Sequence, residues 1–357
     1  MSISNLLKTK KIIPIGRTYI NDDMMFMNFS GSGFKCQSDT DLRLVFKATK
    51  YDSKTECPYI TIFVDGKRTD YALDEEFKTI IIQNNKLSKI EVVKRTETSV
   101  SHTALYQING VLYELYEEKK LNIEFYGDSL TCGFGNLATN PSESFTTETE
   151  SFVDGFAFLT AKKLNANYSA ICVSGFPVYK SRWNQGFPVD SVADMISFSD
   201  YKEDMTFETV NHWDNKKFQP DVVVINLGTN DDSYFTPGQD WIDELMKEKT
   251  FDEVKKTIEF KQRFEALEKR IQKFIKDLLL VYGENIKIIW VFEMLKIFDF
   301  MVDKIKKSVI DMNLENVYYY ALNCLKEDSV FGAVHHPGKK MHSDASDELA
   351  DFISKII

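Results

Sequence analysis

In residues 124–136, EFYGDSLTCGFGN, Ser129 stands between an apolar run and two glycines. A serine at a strand-to-helix turn presents its hydroxyl at the edge of a sheet, where it can attack an acyl carbon. Its own N–H then lies near the positive end of the helix. The same residue types also cap helices without doing chemistry, so this stretch alone leaves nucleophile and cap as even readings. Three distant blocks carry complementary groups. INLGTNDD, 225–232, ends an apolar run with Gly228, Thr229, Asn230 and Asp231; an Asn amide can donate to a developing oxyanion, and these residue types also favour plain turns. CVSGFPVY, 172–179, places Gly175 at the end of another run, where its N–H is either a second donor or part of a turn. Residues 331–349, FGAVHHPGKKMHSDASDEL, hold His335, His336 and His342 in what reads as a loop ahead of a terminal helix. A zinc site lacks matching Cys or carboxylate spacing there. One general base fits better, because histidine titrates near neutrality and can take and return a serine proton.

The elements that must position these groups fall into two patterns. From about residue 20 to 115 short alternating runs predict strands, with LRLVFKA alternating Leu42, Leu44, Phe46 and Ala48, and hairpin signals at Asp65-Gly66 and Asn109-Gly110. Their spacing predicts a β-sandwich or jelly roll. After residue 120, LNIEFYG, NYSAICVSG, DVVVINLG, NIKIIWVFE and NVYYYAL read as five buried strands alternating with helices, which predicts an α/β parallel sheet. Residues 251–278 carry Val254, Ile258, Leu267, Ile271, Phe274 and Leu278 at helical spacing. The expected division is a β-sandwich at 1–118 and a parallel-sheet domain at 119–357. In such sheets the ligand site lies beyond the carboxyl ends of the strands, where Ser129, Gly175 and Asn230 all fall.

Bulk composition narrows the partners. The 357 residues, 43% hydrophobic and 27% charged, describe an ordinary globular chain. The 54 acidic against 44 basic side chains give a net charge of -10, which argues against nucleic acid as the main partner. No apolar run approaches the roughly 18 residues of a membrane span, and the first residues lack a secretory apolar stretch, so the expectation is a cytoplasmic chain without a membrane partner. Five scattered cysteines without ligand spacing read as free buried thiols. No cofactor or metal is implied, and a homo-oligomer stays open.

GDSL with Ser129, the block with Gly175, GTND with Asn230 and HP with His336 together resemble the SGNH (GDSL) hydrolases, which have a flavodoxin-like α/β fold. The chain is also similar to carbohydrate esterase family 2 in IGRT, FSGSGF, VDGK and VVKRTE ahead of the serine. That family joins a jelly roll to an SGNH domain and removes O-acetyl groups from xylan, mannan and glucomannan. The resemblance implies Ser129 as nucleophile, His336 as base, and an oxyanion hole from the Ser129 N–H, Gly175 and Asn230. SGNH enzymes commonly carry Asp three residues before the histidine; here that position is Ala333. Similar enzymes work as a Ser-His dyad oriented by a backbone carbonyl, which is the reading taken, with Glu293 or Asp328 as alternative orienters. Trp183, Trp213 and Tyr234 flank the second and third blocks and are candidates to stack on sugar rings, although most aromatics line cores. Acetylated oligosaccharide is the expected substrate. The competing functions are an esterase or lysophospholipase on acyl lipids and a non-catalytic carbohydrate-binding protein.

Overall fold

The computed structural model describes residues 2–21, 23–49, 56–99, 101–116, 118, 120–183, 189, 191–198 and 212–357. Helix α1 (Ile3–Lys8) leads into ten strands: β1 (Ile12–Ile15), β2 (Tyr19–Asn21), β3 (Met24–Phe26), β4 (Gly33–Ser38), β5 (Leu42–Thr49), β6 (Tyr59–Val64), β7 (Lys67–Ala72), β8 (Phe77–Ile82), β9 (Ser88–Lys94) and β10 (His102–Asn109). They form two antiparallel sheets, ordered β1-β4-β9-β6-β7 and β2-β3-β10-β5-β8. Phe34, Ile60, Ile90 and Val92 of the first sheet share one core with Met25, Leu44, Phe46 and Leu105 of the second, which explains the alternation in LRLVFKA. Asp65 and Gly66 both take positive φ and close the β6–β7 hairpin as expected. Asn109-Gly110 ends β10 without opening a hairpin. The following residues are drawn to the sandwich's own turn instead, with Val111 N–H donating to Thr40 Oγ1 and Tyr113 N–H to the Gln37 carbonyl.

The second half is a parallel sheet of β11 (Asn122–Gly127), β12 (Asn167–Cys172), β13 (Val222–Asn226), β14 (Lys287–Phe292) and β15 (Val317–Ala321) in the order β12-β11-β13-β14-β15. These are the five runs expected from sequence. The connecting helices are α2 (Ser129–Cys132), α3 (Phe156–Lys163), α4 (Thr229–Tyr234), α5 (Asp240–Met246), α6 (Phe251–Val254), α7 (Ile258–Tyr282), α8 (Asp299–Ile310) and α9 (Lys339–Ile356). Helices α7 and α8 cover one face through Ile271, Phe274, Met301 and Ile305. Helices α3 and α9 cover the other through Phe156, Ala161, Leu349 and Ile353. Burial on both faces is why β11 to β14 lack polar alternation; β15, expected to be buried as well, is an edge strand and only half-buried. The single helix expected over 251–278 is two, because Thr257 stops α6 and caps α7 by accepting from Phe260 N–H at 3.2 Å. Strand order 2-1-3-4-5 puts a topological switch between β11 and β13, so a crevice opens beyond their carboxyl ends.

The sandwich is keyed onto this sheet by Arg17, of the IGRT stretch. Its buried guanidinium pairs with Glu124 Oε1 at 3.0 Å and donates to the Met195 and Phe198 carbonyls at 2.9 and 2.7 Å. A buried pair of this kind adds little net stability but fixes how the two layers register.

Candidate active site

At the GDSL turn the helix cap and the outward-facing hydroxyl come from different residues. Asp128 is the cap: its Oδ1 accepts from Leu130 N–H at 3.0 Å. That leaves the Ser129 hydroxyl to face outward from the first position of α2, where its Oγ lies 2.9 Å from His336 Nε2. The histidine arrives from far along the chain because the segment before it docks on the exit of α2. Ala333 N–H donates to the Gly135 carbonyl at 2.9 Å. A Cβ at position 332 would sit 2.1 Å from Gly135 O, so only glycine permits the approach.

The imidazole is oriented by a backbone carbonyl. His336 Nδ1 lies 3.1 Å from Val334 O, and with the proton on Nδ1 the Nε2 lone pair faces the serine hydroxyl. Val334 reaches this position at φ 51°, ψ 40°, with His335 also left-handed at φ 55°. A β-branched residue held there costs on the order of 1–3 kcal/mol. Neither carboxylate alternative is in place: Glu293 accepts from the Tyr319 hydroxyl at 3.0 Å, and Asp328 acts electrostatically on Lys340. His336 also packs on Phe134, ring centroids 4.5 Å apart, and Phe134 stacks on Phe145 at 3.9 Å. Burial pushes the imidazole below its usual range, against a smaller upward pull from the Val334 and Ala333 carbonyls, so the neutral base form prevails at neutral pH.

Asn230 joins the other two blocks. Its Nδ2 donates to Asp128 Oδ2 at 3.1 Å and to the Phe176 carbonyl at 3.2 Å. Burial drives the Asp128 carboxyl up to about 7 despite the bonds from Leu130 N–H and Asn230. Gly175 turns at φ 80°, and neither its N–H nor that of Ser129 donates to another of the described residues. Two unpaired N–H groups beside an amide are the ingredients of an oxyanion hole. Asp231 braces the arrangement from below, accepting from Val178, Tyr179 and Lys180 N–H at 3.0, 2.8 and 3.2 Å. Nothing in the sequence distinguished Asp231 or Phe134 from ordinary turn and core residues, although Phe134 lies in the quoted GDSL stretch.

The aromatic candidates separate. Trp183 is 65% exposed and abuts Gly175. Trp213 is buried, with Arg17 5.6 Å over its ring, on the segment that enters the amino end of β13. It is therefore away from the serine. Tyr234 is buried against Tyr179, Phe235 and Trp241, with its hydroxyl bonded to Arg263, and belongs to the core. Of the histidines, His342 lies inside α9 rather than in the loop. Its Nδ1 accepts from Phe156 N–H at 3.2 Å, a structural contact. All five cysteines are free and buried.

A GDSL-like lipase/acylhydrolase family model matches residues 123–323. Among curated proteins, the chain is 36% identical over 141 residues to a cellulase/esterase of Acetivibrio thermocellus, covering 39% of this chain and 16% of that protein. It is 25% identical over 236 residues to an acetylxylan esterase/glucomannan deacetylase of Cellvibrio japonicus, covering 63% of this chain and 61% of the relative. The chain thus spans less than two thirds of the length of either relative. Among solved structures, a family two carbohydrate esterase from Clostridium thermocellum bound to cellohexaose aligns with TM-score 0.79 and 21% identity, over 96% of this chain and 98% of that one. An acetyl xylan esterase from the rumen bacterium Butyrivibrio proteoclasticus aligns with TM-score 0.80 and 20% identity, over 99% and 98%. Both likenesses establish the shared fold of sandwich and parallel sheet.

Proposed function

Because this chain belongs to the GDSL-like lipase/acylhydrolase family, we infer that Ser129 and His336 form a dyad that removes O-acetyl groups from oligosaccharides of xylan, mannan or glucomannan type. The observation that carries the reading is the 2.9 Å contact between Ser129 Oγ and His336 Nε2, with Nδ1 held by a carbonyl. In this reading His336 takes the serine proton as Oγ attacks the acetyl carbonyl carbon. The oxyanion is received by the N–H groups of Ser129 and Gly175, and by the Asn230 amide as it exchanges its bond to the Phe176 carbonyl for one to the oxyanion. Collapse expels the sugar hydroxyl, which leaves with the proton returned by His336, and an acetyl-serine forms. Water, deprotonated by the same imidazole, then releases acetate and restores the serine.

The sugar assignment is supported by the exposed Trp183 ring beside Gly175 and by the names of the relatives. The same reading places the chain with carbohydrate esterase family 2 and takes the sandwich as a jelly roll, on the strand orders β3-β10-β5-β8 and β4-β9-β6-β7. It also divides the chain at 118/119 and puts the protein in a reducing compartment such as the cytoplasm, in keeping with five unpaired thiols. The test compares the native chain with Ser129→Ala on acetylated xylo- and manno-oligosaccharides, measuring acetate release and sugar binding separately. Release is expected to vanish in the variant while binding persists. Equal release from both proteins would overturn the serine mechanism.

A further inference from the structure

The VVKRTE stretch runs from the end of β9 toward the catalytic domain, and all of Lys94, Arg95, Thr96 and Glu97 are buried. Charged side chains are rarely buried this deeply unless a specific contact demands it. Each of the three has such a contact. Lys94 Nζ donates to the carbonyls of Asn28, Glu97 and Ser101 at 2.7, 2.9 and 3.0 Å, tying the stretch to the residue just ahead of FSGSGF and to its own continuation. Arg95 Nη2 donates to the Thr147 and Glu148 carbonyls at 3.0 and 2.9 Å, holding the loop that also supplies Phe145. Glu97 reaches further: its Oε2 accepts from Ser174 N–H at 2.9 Å, and its own N–H donates to Glu150 Oε2 at 3.1 Å.

Ser174 directly precedes Gly175, whose left-handed turn leaves its N–H without a partner among the described residues. The Ser174 N–H lies in the Val173–Ser174 peptide, one link ahead of the Ser174–Gly175 peptide that carries the proposed donor. A side chain from the sandwich end of the molecule fixes it. Removing that acceptor would leave a half-buried N–H unsatisfied and let the Val173–Ser174 peptide rotate, which loosens the Gly175 turn that follows it.

We propose that Glu97 is a positioning residue for the oxyanion hole: by holding the Ser174 N–H it sets the Gly175 turn, so the sandwich half completes the catalytic geometry. This rests on the reading of Gly175 as an oxyanion donor. Glu97 touches no reacting atom, and its effect is on transition-state stabilisation, not on substrate affinity.

The experiment uses the full chain and compares Glu97→Gln, which keeps an acceptor at Ser174, with Glu97→Leu, which removes it. Folding is checked by circular dichroism. For Glu97→Leu, kcat on acetylated xylo-oligosaccharide is expected to fall about tenfold to a hundredfold with KM within about twofold, since a displaced donor loses part of the roughly 10²–10³ that deleting one costs. Binding of a phenylboronic acid, a mimic of the tetrahedral adduct, should weaken by the same factor. Glu97→Gln should keep kcat within about threefold of the native value. If Glu97→Leu does not fold, Glu97→Asp, which withdraws the acceptor by one methylene, must show the same split. Unchanged kcat in a folded Glu97→Leu, or equal impairment in Glu97→Gln, overturns the proposal. Acetate release that survives Ser129→Ala overturns the underlying reading of the site instead, whatever the Glu97 series does.

Discussion

Restoring the acid that this chain lacks should damage the enzyme. The position three residues before His336 is Ala333, fully buried, and an added Cβ on Gly135 would come within 2.7 Å of its Cβ. Ala333→Asp adds three heavy atoms at that contact. A new charge-assisted bond to His336 Nδ1 would be worth about 1.5–3 kcal/mol at most. The single Nδ1 hydrogen is already engaged by Val334 O at 3.1 Å, so the carboxylate must displace that carbonyl or stay unpaired. An unpaired buried carboxylate costs about 3–5 kcal/mol, and overpacking about 1–3 kcal/mol more. Left unpaired, the carboxylate makes no compensating bond and the destabilisation is about 4–8 kcal/mol. Urea unfolding and steady-state kinetics on an acetylated xylo-oligosaccharide are the assays, with a lower unfolding midpoint and a kcat reduced at least about tenfold expected. The reasoning fails if Ala333→Asp keeps its stability and its kcat while the acid limb of kcat/KM moves to higher pH. Only a carboxylate paired with the imidazolium would raise that pKa.

Two further outcomes follow from the site's surroundings. Burial, helped by the nearby His336, lowers the His342 pKa to about 4, whereas the unfolded chain titrates near 6.5. As pH falls below 6.5 the unfolded state takes the proton first, so relative to His342→Gln the native chain should lose about 2 kcal/mol between pH 7 and pH 5; parallel stability curves for the two would contradict this. Trp183→Ala should raise KM several-fold with kcat nearly unchanged, while Trp213→Ala should lower the unfolding temperature, at a cost of about 3–5 kcal/mol, and leave KM alone. A KM effect at Trp213 would place the sugar on the wrong end of the sheet.

The parallel strands were legible because burial on both faces writes itself as unbroken apolar runs, and the sandwich because two inner faces impose alternation. Ser129, Gly175, Asn230 and His336 stood out because each ends a strand or precedes a helix at a distinctive short motif. What sequence could not show were roles carried by the backbone or by distance. A backbone carbonyl was the orienter expected, with Glu293 and Asp328 as alternatives, but every residue has one, so no residue type marks the carbonyl of Val334 as the one that faces Nδ1. His342 has no sequence feature that sets it apart from His335 and His336; α9 begins at Lys339, which turns that side chain toward Phe156 N–H. Trp213 and Tyr234 lay near functional blocks in sequence, but β13 carries the two ends of that segment to opposite ends of the sheet.

A neutral carbonyl and a carboxylate do not orient a base in equivalent ways. A carboxylate stabilises the imidazolium strongly and also raises its pKa, so part of its benefit is spent keeping the resting base protonated. Val334 O contributes a dipole without that charge, and burial against Phe134 keeps His336 neutral and ready to accept. The orientation must then come from rigidity. The loop supplies it through Ala333 N–H to Gly135 O at 2.9 Å, Val334 N–H to Glu143 O at 3.2 Å, His335 N–H to Pro141 O at 3.2 Å and Gly332 N–H to His336 O at 2.8 Å. These bonds sustain the left-handed pair Val334 and His335 that aims the carbonyl. The strain and the bonds that hold it are one device, in which fixed backbone geometry does what a buried aspartate does in enzymes that carry one.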